Sequence, residues 1–274
     1  MTRAPVLALR GVSTTFGAVR ALVDVDLDVV PGEVLAIVGD NGAGKSTVVK
    51  TLAGVVGPGR GSVELDGRPV TFATPGAARA AGVTAVFQDL ALCDNLDVVE
   101  NIFLGHELLR GPGRPGALLD EVEMERRAWE LLGELGVRLP SVRVPVGTLS
   151  GGQRQAVAIL RALHGEPRVV LLDEPTSALG VAQTAEVLTL VERLRDRGLG
   201  VVLVSNSMAD VHAVADRIAV LRLGRHAATF DASTTSYEDL LAAVTGARVP
   251  HAASGPPGPR RDAHGQAGTE VTER

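Results

Sequence analysis

The chain has 274 residues, of which 45% are hydrophobic, so it can bury a large core. Its formal net charge of −5 gives no support for a nucleic-acid partner, which usually requires a basic face. Its single cysteine, Cys93, excludes an internal disulfide and is compatible with a reducing compartment. No apolar run reaches the roughly 18 residues that span a bilayer, and the apolar stretch at the N-terminus is too short for a signal peptide, so we expect a cytoplasmic protein that reaches a membrane only through a partner.

The apolar pattern along the chain predicts an α/β fold. Residues 5–30 are expected to form antiparallel strands, because valine and leucine alternate with aspartate between Val23 and Val29. Short continuous apolar runs predict buried strands. These runs lie at 34–38, 83–87, 169–172, 201–204 and 218–221.

Two helical patterns interrupt the predicted strands. Residues of about 90–147 indicate a helical insertion, in which Met124 and Leu132 share one apolar face and Trp129 is expected in the core. A second amphipathic stripe runs from Val187 to Leu194 and ends at Gly198. From about residue 250 to 274 the composition shifts to glycine, proline, histidine and charge, which predicts a disordered tail after a domain of residues 5–249.

The first chemical motif is "GDNGAGKST", which follows a buried strand and opens a predicted helix. It fits the phosphate-binding pattern G-x-x-x-x-G-K-[ST], in which glycines and the helix N-terminus present N–H groups to phosphate oxygens. Lys45 can reach the β- and γ-phosphates, and Ser46 can bind Mg²⁺. The alternative is a glycine-rich turn without a ligand. The predicted ATP-binding residues of this motif are Gly39, Asp40, Asn41, Gly42, Ala43, Gly44, Lys45, Ser46 and Thr47.

The second motif is "VVLLDEP", a predicted buried strand that ends in two carboxylates. Asp173 is placed to hold Mg²⁺, directly or through water, and Glu174 to orient or deprotonate an attacking water. A strand that ends in two solvated acids is common, so the motif is informative only because a phosphate-binding loop precedes it.

A third motif, "TLSGGQRQ" at 148–155, opens the next predicted helix. Ser150 is a good N-cap, and the two glycines after it expose backbone N–H groups. The motif indicates either an ordinary capped helix or a second anion-binding helix terminus.

These motifs, in this order and with Gln88 at the end of an intervening strand, resemble the nucleotide-binding subunit of ATP-binding cassette (ABC) transporters over residues 5–245. The resemblance implies that Phe16 stacks on adenine, although a core aromatic is the alternative, and that Gln88 senses Mg²⁺ and the attacking water. It implies that Leu149–Gln153 is the signature sequence, which contributes Ser150, Gly151, Gly152 and Gln153. The family binds ATP between two head-to-tail subunits, and one copy of each motif therefore implies a dimer, expected to be a homodimer.

Within this family, "FQDLALCDNLDVVENIFLG" and "EPTSALGVAQT" resemble the ATPases of bacterial importers for simple sugars. The resemblance implies two membrane permease subunits and, indirectly, a solute-binding protein as partners. It also implies a place on the inner face of the cell membrane. Gly180 departs from the aspartate that the family usually has after "SAL".

A second departure lies at Asn206, where the family has a switch histidine that contacts the γ-phosphate. An amide can donate a hydrogen bond to phosphate or hold a water, but it carries no positive charge. The alternative is that Asn206 only caps the following helix. His212 is expected on that helix, exposed to solvent, and not to replace the histidine.

The sequence therefore predicts an ABC-type ATPase that uses ATP and Mg²⁺ to drive import of a small solute, expected to be a monosaccharide. Glu174, Gln88 and Asn206 are its predicted catalytic residues, and Ser46, Gln88 and Asp173 its predicted metal-binding residues. One alternative is a soluble ABC ATPase of DNA repair or translation, but no sustained heptads and no second cassette support it. Another is a weakly active or regulatory subunit, which Asn206 favours and Glu174 opposes.

Overall fold

The computed structural model describes residues 4–111 and 118–247. A six-stranded sheet of order β10-β9-β3-β8-β7-β6 forms its centre, and every pair in it is parallel except β9 with β10. The strands of this sheet are β3 (Glu33–Val38), β6 (Val83–Val86), β7 (Val169–Asp173), β8 (Gly200–Val204), β9 (Arg217–Arg222) and β10 (Arg225–Asp231).

A second, antiparallel sheet has the order β2-β1-β4-β5. Its strands are β1 (Leu7–Phe16), β2 (Val19–Val29), β4 (Arg60–Leu65) and β5 (Arg68–Val70). The alternation of valine and aspartate in β2 places Val25 and Val29 in the core while Asp24 and Asp26 face solvent. The antiparallel strands expected within residues 5–30 are thus confirmed.

The helices surround the parallel sheet. They are α1 (Lys45–Leu52), α2 (Pro75–Ala80), α3 (Val98–Phe103), α4 (Glu121–Glu134), α5 (Gly151–Leu163), α6 (Val181–Asp196), α7 (Met208–Val214) and α8 (Tyr237–Thr245). Alternate residues of the central strands supply different parts of the core, since Leu171 packs toward the antiparallel sheet and Leu172 toward α3, α4 and α5. The five predicted buried strands are confirmed as β3, β6, β7, β8 and β9.

The predicted helical insertion contains α3 and α4, and Met124 and Leu132 are buried on one face of α4 as expected. The expectation for Trp129 is wrong, because its side chain is 44% exposed. Trp129 lies on the outer side of α4, so its indole ring is not part of the core. The limits 5–249 and 90–147 stay predictions, and the predicted tail, 250–274, lies outside the described residues.

Candidate functional site

The phosphate-binding loop lies between β3 and α1, at the carboxyl edge of the parallel sheet. Gly39 and Gly44 have positive φ angles of 151° and 103°, which other residues rarely adopt. A Cβ on Gly39 would lie 2.1 Å from the carbonyl oxygen of Leu221, and one on Gly44 would lie 2.6 Å from that of Ala21. The backbone of the loop is therefore close to both β9 and β2, and only glycine fits at these two positions.

Lys45 lies inside this loop and is buried. Its Nζ donates hydrogen bonds to the carbonyl oxygens of Gly39, at 2.7 Å, and Asp40, at 3.1 Å. Burial lowers the pKa of the Lys45 ammonium, while the carboxylates of Glu174, Asp173 and Asp40 oppose that effect. The loop thus holds a cation inside a curved backbone, which fits a polyphosphate ligand.

A helix and a strand converge at the residues predicted to bind the metal. Ser46 lies in the first turn of α1 and Asp173 ends β7. The Ser46 hydroxyl donates a hydrogen bond to Asp173 Oδ1 at 3.2 Å. Burial raises the pKa of the Asp173 carboxyl despite that hydrogen bond. A hydroxyl and a carboxylate side by side are hard oxygen ligands, so the pair fits a nucleotide-bound Mg²⁺.

Glu174 follows directly and has a positive φ of 51°, which is uncommon for a non-glycine residue. Its amide is fixed to Val204 O at 2.9 Å, so the turn after β7 is tied to the end of β8. Asn206 lies past that end of β8, and its Nδ2 donates a hydrogen bond to Glu174 Oε1 at 2.6 Å. Asn206 therefore contacts the carboxylate predicted to act on water.

The alternative in which Asn206 caps α7 is wrong, because Ser207 occupies the N-cap and its Oγ accepts a hydrogen bond from Asp210 N. His212 lies on α7 as expected but is only partly exposed, and its Nε2 is buried without a partner among the described residues. The expectation of an exposed His212 is thus wrong. His212 lies in the last turn of α7, which places its side chain against the protein body.

Gln88 and Phe16 lie at the margins of the site. Gln88 is two residues past β6 and lines the same cleft as Glu174, Gly151 and Leu179. Phe16 is at the hairpin end of β1 and is 48% exposed, so it is not a core aromatic. Since β2 packs directly on Gly44, this hairpin lies next to the phosphate-binding loop.

The signature segment opens α5 with a capping box. Ser150 Oγ accepts a hydrogen bond from Gln153 N at 3.3 Å, and Gln153 Oε1 accepts one from Ser150 N at 3.0 Å. A Cβ on Gly151 would lie 2.8 Å from Leu179 Cδ2, and Gly152 is close to Gln183. The prediction of Ser150 as N-cap is confirmed, and the glycines allow the turn after β7 to pack on α5.

Two polar residues near Gln88 were missed by the sequence analysis. Asn101 on α3 is completely buried and binds the loop after Gln88 through its amide, and Arg161 on α5 binds the same loop. Asn101 carries a signal that could have been used, because it is a polar residue at the centre of an apolar helical pattern. Arg161 has none, since arginine is common on helix surfaces.

Comparison with known proteins places the chain in a family. The profile of the family described as "ABC transporter" matches residues 22–177. The chain is 44% identical over 254 residues to the fructose import ATP-binding protein FrcA of Rhizobium meliloti, covering 91% of this chain and 97% of that protein. It is 43% identical to the ribose import ATP-binding protein RbsA of Burkholderia pseudomallei, but covers only 47% of the length of that protein.

A solved structure is also similar. It is the dimeric, post-hydrolysis state of an ATP-binding cassette bound to ADP and Pi, with a TM-score of 0.68 and 26% identity, covering 82% of this chain and 98% of that one. No helix within residues 4–111 or 118–247 is long and apolar enough to cross a lipid bilayer. On its motifs, fold and relatives, this chain belongs to the ABC transporter family and carries its nucleotide-binding ATPase domain.

Proposed function

We propose that the chain is the ATP-hydrolysing subunit of an importer for a monosaccharide. The observation that carries the proposal is the convergence of Lys45, Ser46, Asp173 and Glu174 at one edge of the sheet, where a cation, a metal-ligand pair and a carboxylate base lie together. The near full-length similarity to a fructose import subunit supports a sugar as the transported solute.

In this proposal, Lys45 and the N–H groups of residues 39–47 bind the phosphates, and Phe16 stacks on adenine. Ser46, Asp173 and Gln88 hold Mg²⁺, which supplies charge neutralisation on the phosphates when bound. Glu174 orients and deprotonates the attacking water. Asn206 donates its hydrogen bond to Glu174 and faces the γ-phosphate.

The second half of each site comes from a second subunit. We propose a homodimer in which Ser150, Gly151, Gly152 and Gln153 of one subunit face the phosphate loop of the other, with the N-terminus of α5 directed at the γ-phosphate. The similarity to a dimeric cassette supports this arrangement. Two membrane permease subunits, and through them a solute-binding protein, complete the assembly at the cytoplasmic face of the membrane, without nucleic acid.

Two measurements test the proposal. The purified chain should hydrolyse ATP only with Mg²⁺, and cells that lack its gene should lose uptake of one labelled monosaccharide while others enter normally. A gene deletion that leaves the uptake of every monosaccharide unchanged would contradict the transport function without touching the ATPase.

A weakly active or regulatory subunit is the second candidate, because Asn206 supplies no charge where a histidine is usual. A turnover that stays very low even with the permease present would favour it.

A further inference from the structure

The segment that follows Gln88, residues 89–97, lies between β6 and α3 without regular secondary structure. One of its residues, Ala91, has a φ of 48°, a left-handed conformation that costs a non-glycine residue energy unless its surroundings hold it in place. Side chains from two helices provide those surroundings. Within the segment, Asp89 Oδ1 also accepts a hydrogen bond from Ala91 N at 3.1 Å, so the shape of the segment depends on these helices as well as on its own turn.

Arg161 on α5 contacts Leu90 and Ala91, which lie two and three residues after Gln88. Its guanidinium donates one hydrogen bond to Ala91 O at 2.7 Å and another to Leu90 O. A guanidinium presents its donors in a fixed fork, so two adjacent carbonyls fix both the distance and the direction of the backbone. Arg161 thus binds the strained residue of the segment and the residue before it.

The positive charge of Arg161 is not compensated by a neighbouring carboxylate among the described residues. No carboxylate within residues 4–111 and 118–247 forms a salt bridge with it, and it is only partly exposed. Burial lowers the pKa of its guanidinium, and the nearby Arg79 lowers it further. A half-buried cation beside another cation is unfavourable, so the interaction that retains Arg161 here is its pair of hydrogen bonds to the segment.

Asn101 and Arg154 hold the rest of the segment with unequal strength. The Nδ2 atom of Asn101 lies 2.9–3.2 Å from the carbonyl oxygens of Cys93, Leu96 and Asp97, and its Oδ1 accepts a hydrogen bond from Cys93 N at 2.8 Å. Arg154 pairs with Asp94 at 2.7 Å, but Asp94 is 61% exposed and Arg154 33%, and ion pairs open to solvent contribute little.

Arg161 therefore differs in position from Asn101 and Arg154. It lies two turns from Arg154 on the helix whose N-terminus is the signature segment, whereas Asn101 lies on α3. We propose that Arg161 is a positioning residue that fixes Gln88 in the catalytic site by fastening the segment after it to the signature helix. This inference rests on the role of Gln88 in the proposed function.

The test compares Arg161→Met, which keeps most of the apolar stem but removes the donors, with Arg161→Lys, which keeps the charge but loses the fork. Arg197→Met is the matched control, because the one ion pair of Arg197 among the described residues is an exposed one with Glu134. We expect amide hydrogen exchange in residues 89–97 to accelerate at least about tenfold in Arg161→Met, less in Arg161→Lys, and not in the control. If Arg161→Met does not fold, Arg161→Lys alone must show the faster exchange.

The catalytic consequence is measured as kcat and KM for Mg·ATP. Arg161→Met should lower kcat about tenfold with KM changed less than about twofold, because the phosphate-binding loop is untouched. In a Gln88→Ala background the same substitution should lower kcat no further, since two residues that act through one contact are not additive.

Unchanged exchange in residues 89–97 would overturn the proposal, and so would additive losses of kcat in the double variant. If Gln88→Ala itself leaves kcat unchanged, the role of Gln88 in the proposed function fails. The exchange measurement then still decides whether Arg161 holds the segment.

Discussion

Replacement of Asn206 by alanine removes the one side-chain hydrogen bond that the described structure gives Glu174. That bond joins Asn206 Nδ2 and Glu174 Oε1 at 2.6 Å. Hydrogen bonds to charged groups contribute about 1.5–3 kcal/mol, but Asn206 is exposed and Glu174 only partly buried, so we take about 1 kcal/mol. If the bond matters equally in the transition state, turnover should fall about fivefold.

The assay is steady-state ATP hydrolysis by the purified chain at saturating Mg·ATP, with KM measured in parallel. Turnover should fall in Asn206→Ala while KM stays nearly constant, because Lys45 and the glycines of the loop still bind the phosphates. Ser207→Ala is the control: it removes the N-cap of α7, at a cost of about 1 kcal/mol in stability, and leaves the hydrogen bond to Glu174 in place.

Two further substitutions at this position separate geometry from charge. Asn206→Asp places a second carboxylate against Glu174, and the repulsion should lower turnover more than alanine does. Asn206→His should raise turnover, since a protonated imidazole adds a charge-assisted hydrogen bond. With an ordinary histidine pKa of about 6.5, that gain is present below this pH and lost above it, so it should be larger at pH 6 than at pH 8. Unchanged turnover in Asn206→Ala would refute the reasoning, and Glu174 would then act without the help of Asn206.

Three other predictions concern the phosphate and metal side of the site. Lys45→Ala should abolish tight ATP binding, measured by titration calorimetry, because it removes the buried cation of the loop; retained binding would contradict the role of Lys45. Glu174→Gln should keep ATP binding, stop hydrolysis and trap an ATP-bound dimer on size-exclusion chromatography, and a wild-type rate in this variant would exclude Glu174 as the base. Burial raises the pKa of the Asp173 carboxyl, so the folded state binds its proton more tightly than the unfolded state, and stability declines as pH rises above the unfolded value near 3.8. Asp173→Asn should therefore raise the melting temperature of the nucleotide-free chain at pH 7 while it removes Mg²⁺-dependent hydrolysis, and a lower melting temperature would contradict the desolvation argument.

The sequence predicted the parts of the fold that depend on continuous burial. The runs at β3, β7 and β8 consist of valine, leucine, isoleucine and alanine, because both faces of these strands are covered. The edge strand β10, "RHAATFD", was missed, since it alternates polar and small residues and only Phe230 is buried. Trp129 shows the opposite error: it was expected in the core of the helical insertion, but α4 buries Met124, Ala128 and Leu132 instead.

The sequence motifs predict where the site residues lie in the fold, but they do not predict which side chains contact each other. The two motifs place Lys45, Ser46 and Glu174 after the ends of β3 and β7, and the carboxyl ends of parallel strands meet at one edge of the sheet. The contact between Asn206 and Glu174 joins residues that follow two neighbouring strands, β8 and β7, and its donor depends on which residue caps α7. Only the structure assigns that cap to Ser207 and frees the Asn206 amide for the carboxylate.

Direct contacts connect the turn after β7 with the signature segment on one side and with β8 on the other. The turn after β7 carries Glu174, packs through Leu179 on Gly151 of the signature segment and is bound to β8 by the hydrogen bond from Glu174 N to Val204 O. Movement of α5 relative to the sheet must therefore change the packing of that turn, since a Cβ on Gly151 would already overlap Leu179. Because Arg161 fastens the segment after Gln88 to the same helix, the two side chains that we place around the attacking water are both positioned by α5. A substitution on the buried face of α5 should thus affect turnover more than ATP binding, because the phosphate-binding loop packs on β2 and β9 instead.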